Sequence, residues 1–421
     1  MSAFSVKFFS SAMAGAPQLS NNWGDLITVL DACLVNGFAL KVITSLSHQD
    51  GLATATIATG HDYQPYQVLE LSGADQPEYN SLVRVISASS NQFTFAVPAD
   101  APSPATSTSS LSVKLAPLGW DKPFAGTHKA AYRSRHPQSP QNLLLIDDSL
   151  KTPGYTSSWA KWANVGIVED LADIDTPVGA QAPYEPNAPR QNWKKVVTDQ
   201  WGWFKWYHAR SAGYDSHGDG GAGERQWLLI GDERLFYLWC TNAPGADWYG
   251  RNFYCFGDIQ SFKAGDNFHT ILCADDNLLS NANYYSYPGE SNGNGLIASL
   301  NYTGKVLLRN HTQLGNPTRF GVTSLNTNNS QQISGRGTMP FPNGADYSLW
   351  LLPCFVQQED GHIRGSLPGM LWIPQDRPYS DQTVIDNVVG QAGKRFMLIR
   401  TQYASEADGA QVALDLSGPW W

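Results

Sequence analysis

Two hydrophobic periods divide this chain. Between positions 26 and 34, Leu26, Val29, Leu30, Cys33 and Leu34 recur at i, i+3, i+4, i+7 and i+8. That is the stripe of a helix with one buried face. Asp25 would occupy its first turn, where a carboxylate is favoured by the helix dipole, and Gly37 is placed to stop it. Beyond Gly37 the period falls to two. Val42/Thr44/Leu46, Ala53/Ala55/Ile57, Phe93/Phe95/Val97 and Leu111/Val113/Leu115 alternate with polar or small residues, separated by turn clusters such as His48-Gln49-Asp50-Gly51 and Ser72-Gly73-Ala74-Asp75. Short strands at this spacing predict a small β-sandwich or barrel over residues 38–118. Within it, 98–110 (PADAPSPATSTSS) lacks apolar periodicity and reads as a long loop of the module or an exposed arm.

The pattern then becomes irregular. Over 119–190 the clear features are an apolar run at Leu143–Ile146, an Asp147-Asp148 pair that would cap or turn it, an acidic stretch at 169–175, and a Pro-rich connector, QAPYEPNAPR, at 181–190. Residues 191–421 read as a larger β-rich domain, with candidate strands at 196–209, 226–230, 235–240, 268–273, 295–300, 305–308, 348–356 and 396–401. No fixed-period repeat is present, which disfavours propellers and solenoids. The expectation is a mainly β chain in four parts: an N-terminal arm and amphipathic helix (1–37), a small β-module (38–118), an irregular connecting region (119–190) and a larger β-rich domain (191–421).

Composition supports strands over long helices. There are 15 Trp, 18 Tyr and 17 Phe, with 38 Gly and 25 Pro, while only 15% of residues are charged. The formal net charge of −9, with no basic cluster larger than Lys194-Lys195, argues against a nucleic-acid partner. Cys33, Cys240, Cys255, Cys273 and Cys354 are odd in number, widely spaced and without a CxxC pair, so buried reduced thiols are expected in place of a disulfide framework or zinc site. The first residues, MSAFSVKFFSSAMAGA, end like a cleavage site but carry Lys7 where a signal peptide needs an apolar core, and are expected to be retained. No run approaches the ~18 apolar residues of a membrane-spanning helix, so no membrane insertion is expected.

Four features invite a chemical reading. Gly289-Glu290-Ser291-Asn292-Gly293 matches the G-x-S-x-G nucleophile elbow, but Pro288 precedes it and Asn294-Gly295 follows where a helix should begin, so a polar loop is expected. Asp215-Ser216-His217-Gly218-Asp219-Gly220 partly copies a calcium loop, yet position three is His and the twelfth is Gln226, which favours a solvated glycine loop over a cation site at Asp215–Asp219. In Trp201-Gly202-Trp203-Phe204-Lys205-Trp206-Tyr207-His208, Trp201 and Trp203 would share one strand face while Phe204 and Trp206 share the other. Exposed, Trp201, Trp203, Trp206 and Tyr207 would stack on sugars or form a subunit contact; buried, they would fill a core. The carboxylates and nine histidines show no glycosidase pair or metal-ligand spacing, so neither a catalytic residue, a metal nor a cofactor is assigned.

Several segments resemble a family of virion structural proteins encoded in the tail regions of tailed bacteriophages. They are Gly15-Ala16-Pro17-Gln18-Leu19 with the 25–38 helix, Ala53–His61 (ATATIATGH), and Val68-Leu69-Glu70-Leu71-Ser72-Gly73-Ala74 with Tyr79-Asn80 before Phe93-Thr94-Phe95. Cys255-Phe256-Gly257-Asp258-Ile259 with Ala264-Gly265-Asp266, and Gly365-Ser366-Leu367-Pro368-Gly369-Met370, continue the likeness. The matches are short and rich in turn residues, and it is their order along most of the chain that carries the resemblance. It implies a structural, non-enzymatic role in the virion, at the tail, baseplate or tip; the expected reduced thiols imply synthesis in the host cytoplasm. The implied partners are further copies of the chain and other virion proteins. The alternatives are a glycan-recognising receptor-binding protein, reaching a host surface glycan, and a head-decoration protein.

Overall fold

The computed structural model describes residues 5–150, 156–184, 204–209, 221–241, 244, 251–276, 296–297, 304–324, 339–376, 379–400 and 411–421. The chain is mainly β, built from antiparallel sheets, with one short helix near its N-terminus.

That helix runs α-helical over Asp25–Leu30 and widens to a π-helical turn over Asp31–Asn36, where the Gly37 N–H reaches back five residues to the Ala32 carbonyl (2.9 Å). Leu26, Val29, Leu30, Cys33 and Leu34 are all fully buried, as their spacing requires. Gly37 ends the helix at a φ of 70°, and a Cβ there would lie 2.3 Å from the Leu115 carbonyl, so only glycine fits. The last turn leaves carbonyls without intrahelical donors. Leu118 N–H bonds to Cys33 O (2.8 Å), and Gly119 and Trp120 N–H both bond to Leu34 O (2.9 Å).

The next segment forms two four-stranded sheets. One orders Phe38–Val42, Ser112–Leu115, Val68–Ser72 and Leu82–Arg84; the other orders Ser45–Gln49, Leu52–Thr56, Gln92–Ala96 and Ser87–Ala88. Leu46, Ala53, Ala55, Leu69, Leu71, Phe93, Phe95, Val113 and Leu115 point inward from alternate positions. At one corner the Asn80 side-chain amide bonds both to the Ala74 N–H (3.0 Å) and to the Ala74 carbonyl (2.8 Å), while Gly73 (φ 88°) leaves room for the Ser110 carbonyl. Segment 98–110 is not a free arm. Ala105 N–H bonds to Leu46 O (2.9 Å), and Asp75 holds Thr106 and Thr108. It is a loop of the module, fastened over one end.

Residues 119–190, expected to be irregular, contain a sheet. Asp121–Gly126, Lys129–Arg133, Leu143–Asp147 and the twelve-residue Trp162–Asp173 follow in order, Thr176–Ala182 pairs with the last as a hairpin, and Phe204–Tyr207 and Asp275–Asp276 extend the sheet from later in the chain. Period-two patterning is absent here because Leu143–Ile146 and residues 162–168 are buried on both faces.

The largest sheet begins with Lys7–Ser10 pairing Trp227–Gly231, so this part of the N-terminus is a strand and not the expected arm. It continues through Leu235–Thr241, Arg251–Asp258, Thr270–Cys273 and Lys305–Leu307, then Thr318–Thr323, Leu352–Gln358, Ile363–Ile373, Gln411–Asp415, Arg395–Arg400 and Thr383–Asp386. In the first half Leu229, Phe236, Leu238, Tyr254, Phe256 and Leu272 face one core, shared with the helix, the small module and the seven-stranded sheet. Leu228, Ile230, Tyr237, Trp239, Phe253 and Ile271 face the other, where they meet Val322, Val356, Met370, Ile399 and Leu414 from the second half. The sheet thus folds over on itself, and Gln260–Ser261 pairing with Gly365 and Ser366 stitches the halves together.

The turn joining the Trp227–Gly231 and Leu235–Thr241 strands gathers several elements. Trp120 Nε1 donates to the Asp232 carbonyl (2.8 Å), and the Asp232 carboxylate accepts from the Arg234 and Leu235 N–H groups (2.8 and 3.0 Å) and from Trp421 Nε1 (2.7 Å). The Arg234 guanidinium lies 3.8 Å from the centre of the Trp421 ring. Burial pushes the Asp232 carboxyl up to about 6 despite these donors.

Two outcomes follow for stability. Phe236 touches Trp120, Trp206 and Phe256 in the shared core; Phe236→Ala is expected to lower the unfolding free energy by about 3–5 kcal/mol in a urea titration. Asp232 binds its proton more tightly folded than unfolded, where a carboxyl of this type titrates near ~3.9. Its contribution is therefore present below that value and lost as pH rises through about 6. Between pH 4 and 7 the wild type is expected to lose roughly 2 kcal/mol relative to Asp232→Asn, measured by parallel denaturant titrations.

Candidate functional site

The aromatic strand was the leading candidate for ligand contact. Its described part, Phe204–Tyr207, is a buried strand between Trp162–Asp173 and Asp275–Asp276. Trp206 stacks on Tyr254 (5.5 Å, 13° between planes) and donates its indole N–H to the Cys273 carbonyl (2.8 Å). Tyr207 packs against Trp162, and the Lys205 ammonium sits 4.2 Å from the centre of the same indole. Neither Trp206 nor Tyr207 offers a ring face to solvent, which removes both as sugar-stacking or surface-contact residues. Their aromatic bulk fills the space between two sheets. Trp201 and Trp203 lie outside the described residues, as do the 289–293 and 215–220 motifs.

Immediately after this strand stands a polar group of another kind. Asp148 and His208 are both fully buried, with His208 Nε2 3.2 Å from Asp148 Oδ1. The second oxygen, Oδ2, accepts from the Gly24 and Leu26 N–H groups (2.8 and 3.2 Å) at the start of the helix. A capping carboxylate normally comes from the residue flanking the helix; here it comes from 124 positions away. The arrangement resembles a catalytic dyad on paper, but both side chains are fully buried. Its chemistry is to clasp the helix, the Leu143–Asp147 strand and the Phe204–Tyr207 strand.

The motif residues that carried the resemblance also hold structure. Asp258 receives Arg234 Nε (3.2 Å) and the Thr270 hydroxyl (2.9 Å). Asp266 takes a two-pronged Arg364 pair (2.6 Å each) in the interior, which holds its carboxyl below the usual range although burial pulls the other way. Pro368 O accepts the Tyr237 hydroxyl (2.8 Å), and Gly369 (φ 70°) leaves space for the Trp420 ring, 2.1 Å from where a Cβ would stand. The five cysteines are all free and buried, and burial pushes the Cys33, Cys240, Cys255 and Cys354 thiols up, away from reactive thiolate.

Some of the exposed aliphatic residues stand on or beside two sheet edges. Leu40 (67% exposed) and Val42 (56%) stand on the Phe38–Val42 edge of the small module. At the far edge of the largest sheet, Val384 stands on Thr383–Asp386, and Val389 (97%) lines with Trp350, Leu349 and Val388 a cleft of about 300 Å³. Among the described residues no strand pairs with the outer side of either edge. Among the described residues, one group could hold a metal: His311, Asp360 and His362, partly exposed and close together. Sequence spacing missed it because His311 lies some fifty positions from the other two; the local signal was the Asp360-Gly361-His362 turn.

Compared with models of known protein families the chain matches none, and a comparison with curated proteins finds no relative.

Asp148 supplies the test of the clasp. Asp148→Ala leaves two helix N–H groups and His208 without their acceptor, and is expected to cost about 3–5 kcal/mol in urea unfolding. The double variant with His208→Ala should cost clearly less than the sum of the two single changes.

Proposed function

We propose that the chain is a structural component of a tailed-phage virion, at the tail, baseplate or tip, acting through assembly contacts and not through catalysis. The observation that supports this best is exposed apolar side chains at two sheet edges, Leu40 and Val42 on Phe38–Val42 and Val384 on Thr383–Asp386, with Val389 in the loop that follows the latter. An open edge is a template for another strand; Phe38–Val42 is interrupted by a bulge between Phe38 and Lys41, whereas Thr383–Asp386 pairs in unbroken register. Apolar side chains on such edges suit permanent contacts between copies or with neighbouring proteins. The resemblance in the turn motifs points the same way, and the residues carrying it serve as structural anchors. The non-enzymatic reading draws on Asp148–His208 being sealed from solvent and on raised thiols. A glycan-binding role, the alternative, keeps only Trp201 and Trp203 of its four residues. A head-decoration role differs in location alone.

Purified chain examined by size-exclusion chromatography with light scattering is expected to form oligomers, with contacts burying well over ~1,000 Å². Leu40→Lys with Val42→Lys, or Val384→Lys with Val389→Lys, should weaken assembly about tenfold or more while leaving the melting profile intact. A monodisperse monomer that also fails to enter particles would defeat the proposal.

A further inference from the structure

The hairpin turn between Leu352–Gln358 and Ile363–Ile373 carries Asp360 and His362 across Gly361, whose φ of 88° reverses the chain. A second loop, after Lys305–Leu307, brings His311 beside them. His362 Nδ1 lies 3.1 Å from one Asp360 oxygen and His311 Nδ1 3.6 Å from the other. The two imidazole centroids are 4.4 Å apart. One ligand atom from each residue lies within 4.8 Å of the others.

These separations have a chemical meaning. Zn²⁺ binds imidazole nitrogen and carboxylate oxygen at about 2.0–2.2 Å in a tetrahedron, which places ligand atoms roughly 3.3–3.5 Å apart. The two carboxylate–imidazole distances, each to a different Asp360 oxygen, fall on either side of that value. Two imidazoles with one carboxylate select borderline transition ions over Ca²⁺ or Mg²⁺, which prefer all-oxygen shells. Three protein ligands leave one position for water.

The support beneath the trio is buried and hydrogen-bonded. Gln358 directs its side-chain NH₂ at His311 Nδ1 and at both Asp360 oxygens, each 3.4 Å away. The His362 backbone N–H also donates to Asp360 Oδ1 (3.2 Å), so the carboxylate is held in place on the turn with its oxygens between the two imidazoles. The Gln358 carbonyl oxygen is itself held by Arg364 (2.8 Å), whose other nitrogens grip Asp266, and Arg364 also reaches the Arg309 carbonyl (3.3 Å), two residues before His311. One buried guanidinium therefore positions both loops, as outer-shell groups do around metal ligands.

We propose that His311, Asp360 and His362 form a binding site for a divalent transition-metal ion of the Zn²⁺ class. The site stands independently of the assembly role.

The test uses the full chain, stripped with a chelator and dialysed. Titration with Zn²⁺ at neutral pH, followed by calorimetry and by elemental analysis of the desalted protein, should give one saturable ion per chain. Co²⁺ should bind at the same site with the intense visible bands of four-coordinate geometry. His311→Ala, His362→Ala and Asp360→Asn, all at partly exposed positions, should each weaken binding at least tenfold, whereas His128→Ala should leave it unchanged. Absence of saturable Zn²⁺ uptake would overturn the proposal, and so would uptake that all three ligand variants retain at full strength.

Discussion

The strands Trp227–Gly231, Leu235–Thr241, Arg251–Asp258 and Thr270–Cys273 are buried on both faces, and the rest of the architecture answers that constraint. A sheet with two apolar faces needs cover on both, and its backbone groups can find partners only in neighbouring strands. On one side the cover is the helix, the small module and the seven-stranded sheet; on the other it is the second half of the same large sheet. Two side chains that reach across are hydrogen-bonded there, Trp120 to the Asp232 carbonyl and Tyr237 to the Pro368 carbonyl. Arg84 ties the small module to the C-terminal segment through the Leu416 carbonyl (2.8 Å).

The same two-sided burial sets what could be read from sequence. The helix was legible because its stripe has one dry face, and the 38–118 strands because they are dry on one side only. Leu143–Ile146 was visible as an apolar run, yet residues 162–168 were not recognised as a strand, since a continuous run carries no period. The aromatics at 204–207 were ambiguous for a related reason: alternation at period two looks alike whether the outward face meets solvent or another sheet. Asp148 read as a local turn residue because a cap contributed from 124 positions away has no sequence signature. His311, Asp360 and His362 were hidden in the same manner, being joined by two loops and a buried arginine.

Charge follows a consistent rule across the molecule. Buried carboxylates are each committed to a structural partner: Asp148 to helix amides, Asp258 and Asp266 to arginines, Asp232 to a turn and an indole. Such groups are costly to strand and so fix geometry more than they add net stability. They stand where sheets and loops meet: Asp148 joins the helix to two strands and Asp266 joins two loops through Arg364.

The pairing of Lys7–Ser10 with Trp227–Gly231 has a kinetic side. The Ser11 hydroxyl accepts from the Trp227 N–H across 216 positions, so the Lys7–Ser10 strand waits for one synthesised much later. Closing so long a loop is entropically slow, and chains dominated by distant pairings fold late and remain vulnerable meanwhile. During that interval Phe8, Phe9 and the unmatched edge of Trp227–Gly231 would all be open to other chains. A nascent copy is thus at its stickiest before it is finished, and crowding at the site of synthesis becomes a hazard that the completed fold no longer carries.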